Sequence, residues 1–416
     1  MQPTERRAFE ALRAPGFAAY LLTFMLTMMA DNIEHVISYW VAYQKFHSPA
    51  LGGFAVVSHW LPYLLFSVAA GALNDRFDSR RIIQIGVAMF MGVSIGWGYF
   101  FLTDTLQMWH AMVLLVVHGC AGVLWSTSSQ MLLYDIVGPA SLQSAVRLNA
   151  TVRYLAIFIG PVLGNGIMLL LGPTRGIFVN AAFYLPLLIW LVRAPYGRHF
   201  RGQAAGPKRA VRGLGDILQT VRDIRGVPAI GAMVLLTGMA SFFVGNSYQA
   251  QMPGFAHDLR HGNPGVAYSL LLGADALGAL CAGFLLESRG GWLQTKASSA
   301  ERIALLWGAA LLAFSFARSY FVALPFLFLA GFFELSFSSM AQALVQIHAP
   351  ETIRGRVLGL FAMSSSGLRT FSGLTVGIAG SIVSIHASLA ASSIAFMIVV
   401  AIIMTRQRPA AGVVAE

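Results

Sequence analysis

"GALNDRFDSRR", residues 71–81, closes one apolar run and opens another, and its first five residues recur in outline as "GFLLE", residues 283–287. Both read Gly-x-Leu-x-acid. A second echo has nearly the same offset. "LYDIVGPASLQSAV" at 133–146 and "LVQIHAPETIRGRV" at 344–357 share Leu, Ile, Pro and Val in register. The offsets are 212 and 211 residues, about half the chain. Two independent echoes at one spacing point to duplication of a single structural unit.

That unit is a set of membrane spans. Of 416 residues, 57% are hydrophobic and only 11% are charged, against about 25% charged in soluble domains. The apolar runs divide into twelve spans of roughly 20 residues each, with expected boundaries at 17–43, 50–73, 82–102, 108–134, 148–171, 176–193, 227–247, 264–286, 302–317, 321–346, 357–383 and 388–405. Residues 1–192 then form one six-span half and 227–416 the other. Between them lies a basic linker, 193–226, with one short surface helix near its end. The 42 glycines suit close approach of membrane helices. A polar, charged N-terminus gives no sign of a cleavable signal peptide.

A net charge of +11 could suggest nucleic acid, so its location decides. With the N-terminus in the cytoplasm, 22 of the 28 Lys and Arg residues fall in cytoplasmic segments. The exceptions are Lys45, Arg175, Arg260 and Arg318 in outer loops, and Arg153 and Arg369 within spans. This bias places both termini in the cytoplasm of a bacterial inner membrane and needs no nucleic-acid partner. Cys120 and Cys281 sit inside spans without metal or redox spacing and read as packing residues. No P-loop or dinucleotide motif is present, so ATP-driven transport, a cofactor and an enzymatic role are not expected. "GVSIG" at 92–96 mimics a hydrolase elbow but lies within a span.

The polar residues inside spans are the candidates for function, because charge in a membrane is costly. In span one, Asp31, Glu34, His35 and Ser38 stand at i, i+3, i+4 and i+7 and share one helix face, extended by Thr27. Asp31 lies about fourteen residues from the cytoplasmic end, near the midplane at ~1.5 Å per residue. Three readings compete. Asp31 and Glu34, tuned by His35, could load and release a proton, since burial favours the neutral carboxyl. They could form a structural network with His59 or His118. Asp31 and His35 could also ligate a metal, although no dense His/Cys cluster accompanies them.

In the second half, Glu334 and Arg369 match in depth, which predicts an ion pair or a substrate contact. Asp275 has no partner by depth and is a cation- or proton-binding candidate, and Arg153 reads as an inner-cavity or gate cation. His59, Trp60, Trp125, Phe242, Asn246, Tyr248 and Gln249 could line a roomy cavity.

"GALNDRFDSRR" also resembles the loop 2–3 signature of the major facilitator superfamily. Gly71, Leu73, Asp75, Arg76 and Arg80 match, whereas Asp78 and Ser79 replace the usual Gly and Arg. An Asp at that place, together with residues 145–164 and 251–280, resembles the branch of enterobactin-type siderophore exporters. The resemblance covers essentially the whole chain. It implies an all-α membrane fold of twelve helices in two pseudo-symmetric halves, with a small-molecule substrate near their interface. It also implies a gate at Gly71, Asp75, Arg76, Arg80 and Arg81. There, Asp75 would accept bonds at a helix N-terminus, and the arginines would pair across the inner face with carboxylates such as Asp135. "FIGPVLG" at 158–164 resembles the family's antiporter motif through Gly160, Pro161 and Gly164, with Ala156 and Asn165 in place of glycines.

The expected function is therefore proton-coupled export of a small amphipathic or siderophore-like compound by a monomeric carrier. Proton-coupled import or uniport, transport of a metal or metal chelate, and a non-transporting sensor or scaffold are the alternatives.

Overall fold

The computed structural model describes residues 8–197, 213, 215–245, 247–259, 264–288, 295–372 and 379–407. Three helices come first: α1 Phe17–Phe46, α2 Pro49–Arg76 and α3 Ser79–Leu102. Ser48 caps α2 by accepting from the Leu51 N–H, and Asp78 caps α3 by accepting from the Arg80 N–H. The unusual Asp78 of the loop thus has a local structural reason.

The long helical run Met108–Ala182 is broken at two glycines with left-handed backbone, Gly138 at φ 66° and Gly172 at φ 75°. Each is followed by proline. Glycine adopts the left-handed turn without a Cβ clash, and proline starts the next helix without a donor to waste. The run is therefore α4 (108–137), α5 (139–171) and the start of α6 (173–182), which continues through Leu185–Arg193. The surface helix Gly215–Asp223 follows in the linker. The second half has α7 Pro228–Phe243, α8 Pro264–Ser288, α9 Ala297–Ser315 and α10 Tyr320–His348. Next comes α11, built from Arg354–Ala362, a π-helical stretch Met363–Gly367 and Arg369–Ser372, and last α12 Ile385–Gln407.

The halves agree with the duplicated six-helix architecture, but one boundary needs correction. Span five was expected at 148. Helix α5 instead begins at Pro139, so the presumed loop after span four is helical on both sides of Gly138. Among the described residues seven helical runs are individually long and apolar enough to cross a membrane, one of them the 86-residue run Met108–Arg193 that holds three crossings. Helix α1 is not one of them; Asp31, Asn32, Glu34 and His35 depress its hydropathy.

Apolar burial falls into two main bodies. One is built from α1–α6 residues such as Tyr20, Phe90 and Leu132, the other from α7–α12 residues such as Leu236, Trp307 and Phe396. Leu169, Leu170 and Phe284 point outward and are largely exposed, as expected where lipid is the solvent. Lys45 and Asp104 pair at 2.6 Å at the loop end of α3, and the ammonium's hydrogen bond holds the Asp104 carboxyl below its usual range. Because that carboxylate is fully open to water, a Lys45→Gln protein should return Asp104 to ordinary titration, followed by NMR, with no measurable change in melting temperature.

Candidate functional site

A cavity of about 500 Å³ lies between the halves, lined by residues of α4, α5 and α7–α11, with Arg153, Tyr154, Asp275, Glu334 and Arg369 among its walls. It extends along α5 to Val162 and Asn165 and along α8 back to Tyr268, away from the end of the bundle that carries the basic loops. A side cavity of about 70 Å³ adjoins it, sharing Ser126, Gln130, Asn149 and Arg153. Asp31, His59, Trp60 and Trp125 line this smaller space.

The polar face of α1 is tied into a buried network. His118 of α4 places Nε2 2.8 Å from Asp31 Oδ1 and Nδ1 2.7 Å from Glu34 Oε1. Ser94 of α3 donates to the other Glu34 oxygen, and Asn180 of α6 donates to Ser94. His35 lies 4.0 Å from Asp31, and its ring sits edge-on to those of His59 and His118. A ring nitrogen from each of these three histidines falls within 4.8 Å of the other two, a spacing open to a metal. Both nitrogens of His118 are already engaged by carboxylates, however, so the arrangement reads as a hydrogen-bond network. The antiporter-like motif backs this face: a Cβ on Gly160 would stand 2.7 Å from the Asn32 side chain, and one on Gly164 3.2 Å from the Ile33 backbone. Pro161 lines the main cavity.

The second half builds a different arrangement from the one its depths suggested. Glu334 and Arg369 share the cavity but form no ion pair. Arg369 donates through Nε to the Ser365 carbonyl at 2.9 Å, and its guanidinium lies over Trp60 at 5.2 Å. Asp275, expected to be alone, stands beside Glu334. The buried Tyr248 hydroxyl lies 3.1 Å from Asp275 Oδ1 and 3.1 Å from Glu334 Oε2, and Gln249 donates to Asp275 at 2.8 Å. Tight crossing makes this possible, because a Cβ on Gly331 would come 1.9 Å from the Asp275 carbonyl and one on Gly278 1.9 Å from that of Phe328.

At the basic end the halves are latched. Asp75 accepts from the N–H groups of Gly355 (2.6 Å) and Arg356 (3.1 Å) and from Arg356 Nη1 (3.1 Å), at the N-terminus of α11. Arg356 also reaches Asp216 of the linker helix at 3.3 Å. Above this point Gly71 meets Gly355, Gly359 meets Ser67 and Gly367 meets Leu64, all in close contact. A matching latch joins α8 to α5: Ser144 donates to Glu287, and Arg147 donates to the Leu286 carbonyl at 2.8 Å. The two are related by the internal repeat, since Asp75 corresponds to Glu287 and Gly355 to Ser144. Arg80 pairs with Asp78 on its own turn and donates to the Ala194 carbonyl, Arg81 bonds Gln84, and Arg76 lies over Phe77. Arg356 is a cation that crosses to a carboxylate of the other half, Asp75.

Of the remaining candidates, Phe242 packs against Phe243 and Phe371, and Trp125 stacks on Phe24 at the edge of the side cavity. Asn246 lies outside the described residues. Sequence reading underrated His118 and passed over Glu287 and Arg356. For Glu287 the signal was present, because "GFLLE" had already been matched to "GALND".

Over residues 7–413 the chain matches the model of the transmembrane secretion effector family. It is 24% identical over 230 residues to the MFS-type transporter YfiS of Bacillus subtilis, 52% of this chain and 51% of that one. It is also 24% identical over 239 residues to the multidrug efflux pump Tap of Mycobacterium tuberculosis, 55% and 56% of the two chains. The chain thus spans about half the length of the curated relatives it matches. Among solved structures, the human organic anion transporter MFSD10 superposes with a TM-score of 0.74 at 14% identity, covering 94% of this chain and 100% of that one. The Escherichia coli fucose:proton symporter FucP gives 0.72 at 13%, covering 94% and 98%. A bacterial homologue of the iron transporter ferroportin, in its outward-facing state, gives 0.68 at 18%, again covering 94% and 98%. Identities this low show shared fold alone. The family match extends over nearly the whole chain, and the chain belongs to the transmembrane secretion effector family of major facilitator transporters, carriers rather than enzymes.

Proposed function

We propose that this chain is a proton-coupled exporter of small amphipathic or siderophore-like compounds. It works as a monomer by alternating access across a bacterial inner membrane, with both termini and the latched basic end in the cytoplasm. The observation that carries the coupling is the bracketing of His118 by Asp31 and Glu34. Two hydrogen bonds to carboxylates need two hydrogens, and a neutral imidazole has one. The intact triad therefore holds one proton beyond a neutral ring and two bare carboxylates, and giving it up breaks one of the bonds. The side cavity joins Asp31 to the main cavity, so the triad can exchange that proton with the space that takes cargo.

Likeness to the efflux pump Tap and the partial antiporter motif support outward movement of cargo. The latches support alternating access, since both bridge the halves at one end while the cavity extends toward the other.

The test is flux in liposomes. An Asp31→Asn protein should fold and elute as wild type does, yet its transport should not rise when a pH gradient is imposed. Undiminished gradient-driven transport by that variant would overturn the assignment. The cargo itself is found by comparing compounds retained by cells with and without the gene, and flux in inside-out against right-side-out vesicles gives the direction.

A further inference from the structure

Arg153 of α5 and Arg369 of α11 face the same cavity from opposite halves. Neither forms an ion pair with a described carboxylate. Arg153 makes no hydrogen bond to a described residue, and Arg369 uses only its Nε, on the Ser365 carbonyl. The two guanidiniums are near enough to repel each other. Two cations in a membrane cavity without a direct carboxylate contact are expensive to keep and are normally paired. The carboxylates nearby make their hydrogen bonds elsewhere, Asp275 with Tyr248 and Gln249, Glu334 with Tyr248 and Asp31 with His118, so that Glu334 attracts both guanidiniums only across the cavity. Each guanidinium offers five N–H donors in a planar fork suited to an oxyanion, and only one of the ten is spent.

We propose that the cargo is an amphipathic organic anion whose oxyanion group, a carboxylate, sulfonate or phosphate, is held between Arg153 and Arg369. This rests on reading the main cavity as the cargo site. The apolar body of such a molecule is suited to the apolar lining that includes Ile157, Phe158, Trp307 and Phe337. Because one arginine belongs to each half, an anion held by both ties the halves together at mid-depth.

Three probes with one fluorophore separate charge from shape: dansylglycine (anion), its methyl ester (neutral) and dansylcadaverine (cation). Trp307 in the cavity wall and Trp60 and Trp125 in the side cavity supply sensitised emission. Titrations use full-length protein in phosphatidylcholine nanodiscs, with a second set in phosphatidylglycerol. Dansylglycine should bind saturably and at least about 10-fold tighter than its ester, the scale of a charge-assisted hydrogen bond. Dansylcadaverine should bind no better than the ester. Arg153→Gln and Arg369→Gln should each bring dansylglycine to within about 3-fold of the ester while ester binding stays at the wild-type level, which also shows that the variants fold. Lysine at either position should retain part of the preference.

A loss of dansylglycine binding confined to phosphatidylglycerol would show that a lipid headgroup competes for the same oxyanion site, and so supports it. Failure of dansylglycine to saturate, tighter binding of the cation, or a full preference for the anion in both Gln variants would overturn the proposal. Ester binding without charge preference would leave the cavity as a cargo site and remove only the anion assignment. The measurement is made at equilibrium without a gradient, so its outcome is independent of proton coupling.

Discussion

An Asp75→Ala/Glu287→Ala protein should stand open at its basic end. Asp75 accepts two backbone N–H bonds and one guanidinium bond from the start of α11, and Glu287 accepts from Ser144 near the start of α5. Truncating one partner of a buried charged contact costs about 3–5 kcal/mol, much of it from the partner left unsatisfied. In the closed state Gly355 and Arg356 would lose their acceptor; in the open state water replaces it. The penalty therefore falls on one conformation, and about 3 kcal/mol shifts the two populations by roughly 100-fold. In a background lacking Cys120 and Cys281, Ser365→Cys places a thiol on the cavity wall. A membrane-impermeant maleimide applied from the basic side should label it slowly in the wild type and fast in the double variant, with each single variant between. Equal labelling rates in all four proteins would remove the latch from the gating mechanism.

Valine at Gly331 should have the opposite character, abolishing the fold rather than shifting a conformation. A Cβ there would lie 1.9 Å from the Asp275 carbonyl oxygen, a backbone atom that no rotamer change can move. Helices α8 and α10 would have to separate along the crossing that also sets Asp275 beside Glu334. Overpacking of this kind costs about 3 kcal/mol or more, and the Tyr248 bridge would be lost with it. Gly331→Val protein should aggregate during extraction or melt far below the wild type in detergent. Gly92→Val is the control, because its Cβ would meet nothing within 4 Å and its melting temperature should hold. A stable Gly331→Val protein would show that the crossing is looser than described.

Much of the architecture could be read from the chain because membrane helices leave plain marks: apolar runs of a set length, basic loops on one side and a repeat offset near half the total. Residue spacing also placed Asp31, Glu34 and His35 on one face, since a single helix fixes its own azimuth. What spacing cannot supply is the rotation of one helix against another. Glu334 and Arg369 match in depth yet do not meet, and Asp275, apparently solitary, meets Glu334 because two glycines let their helices cross closely. His118 has the same history. Nothing near it in the chain is acidic, and only packing of α4 against α1 reveals that it sits between two carboxylates. The start of α5 was misplaced because a Gly-Pro step looks like a loop, whereas here it is a one-residue hinge between two helices.

The π-helical stretch Met363–Gly367 in α11 has a further consequence. Its widened turn is closed by the Leu368 N–H bonding back to the Met363 carbonyl, and so accommodates one residue more than an α-helix would. Below it, Gly355 and Gly359 mesh with α2; above it, Arg369 turns to Trp60. Removing a single residue from the stretch would let the turn close as an ordinary α-helix and keep the contacts below and above it in phase, whereas the same loss elsewhere in α11 would swing everything beyond by about 100° and draw it down by about 1.5 Å. At the level of the gene, this is therefore the one stretch of α11 where loss of a codon leaves the helix's mechanical and recognition duties in step.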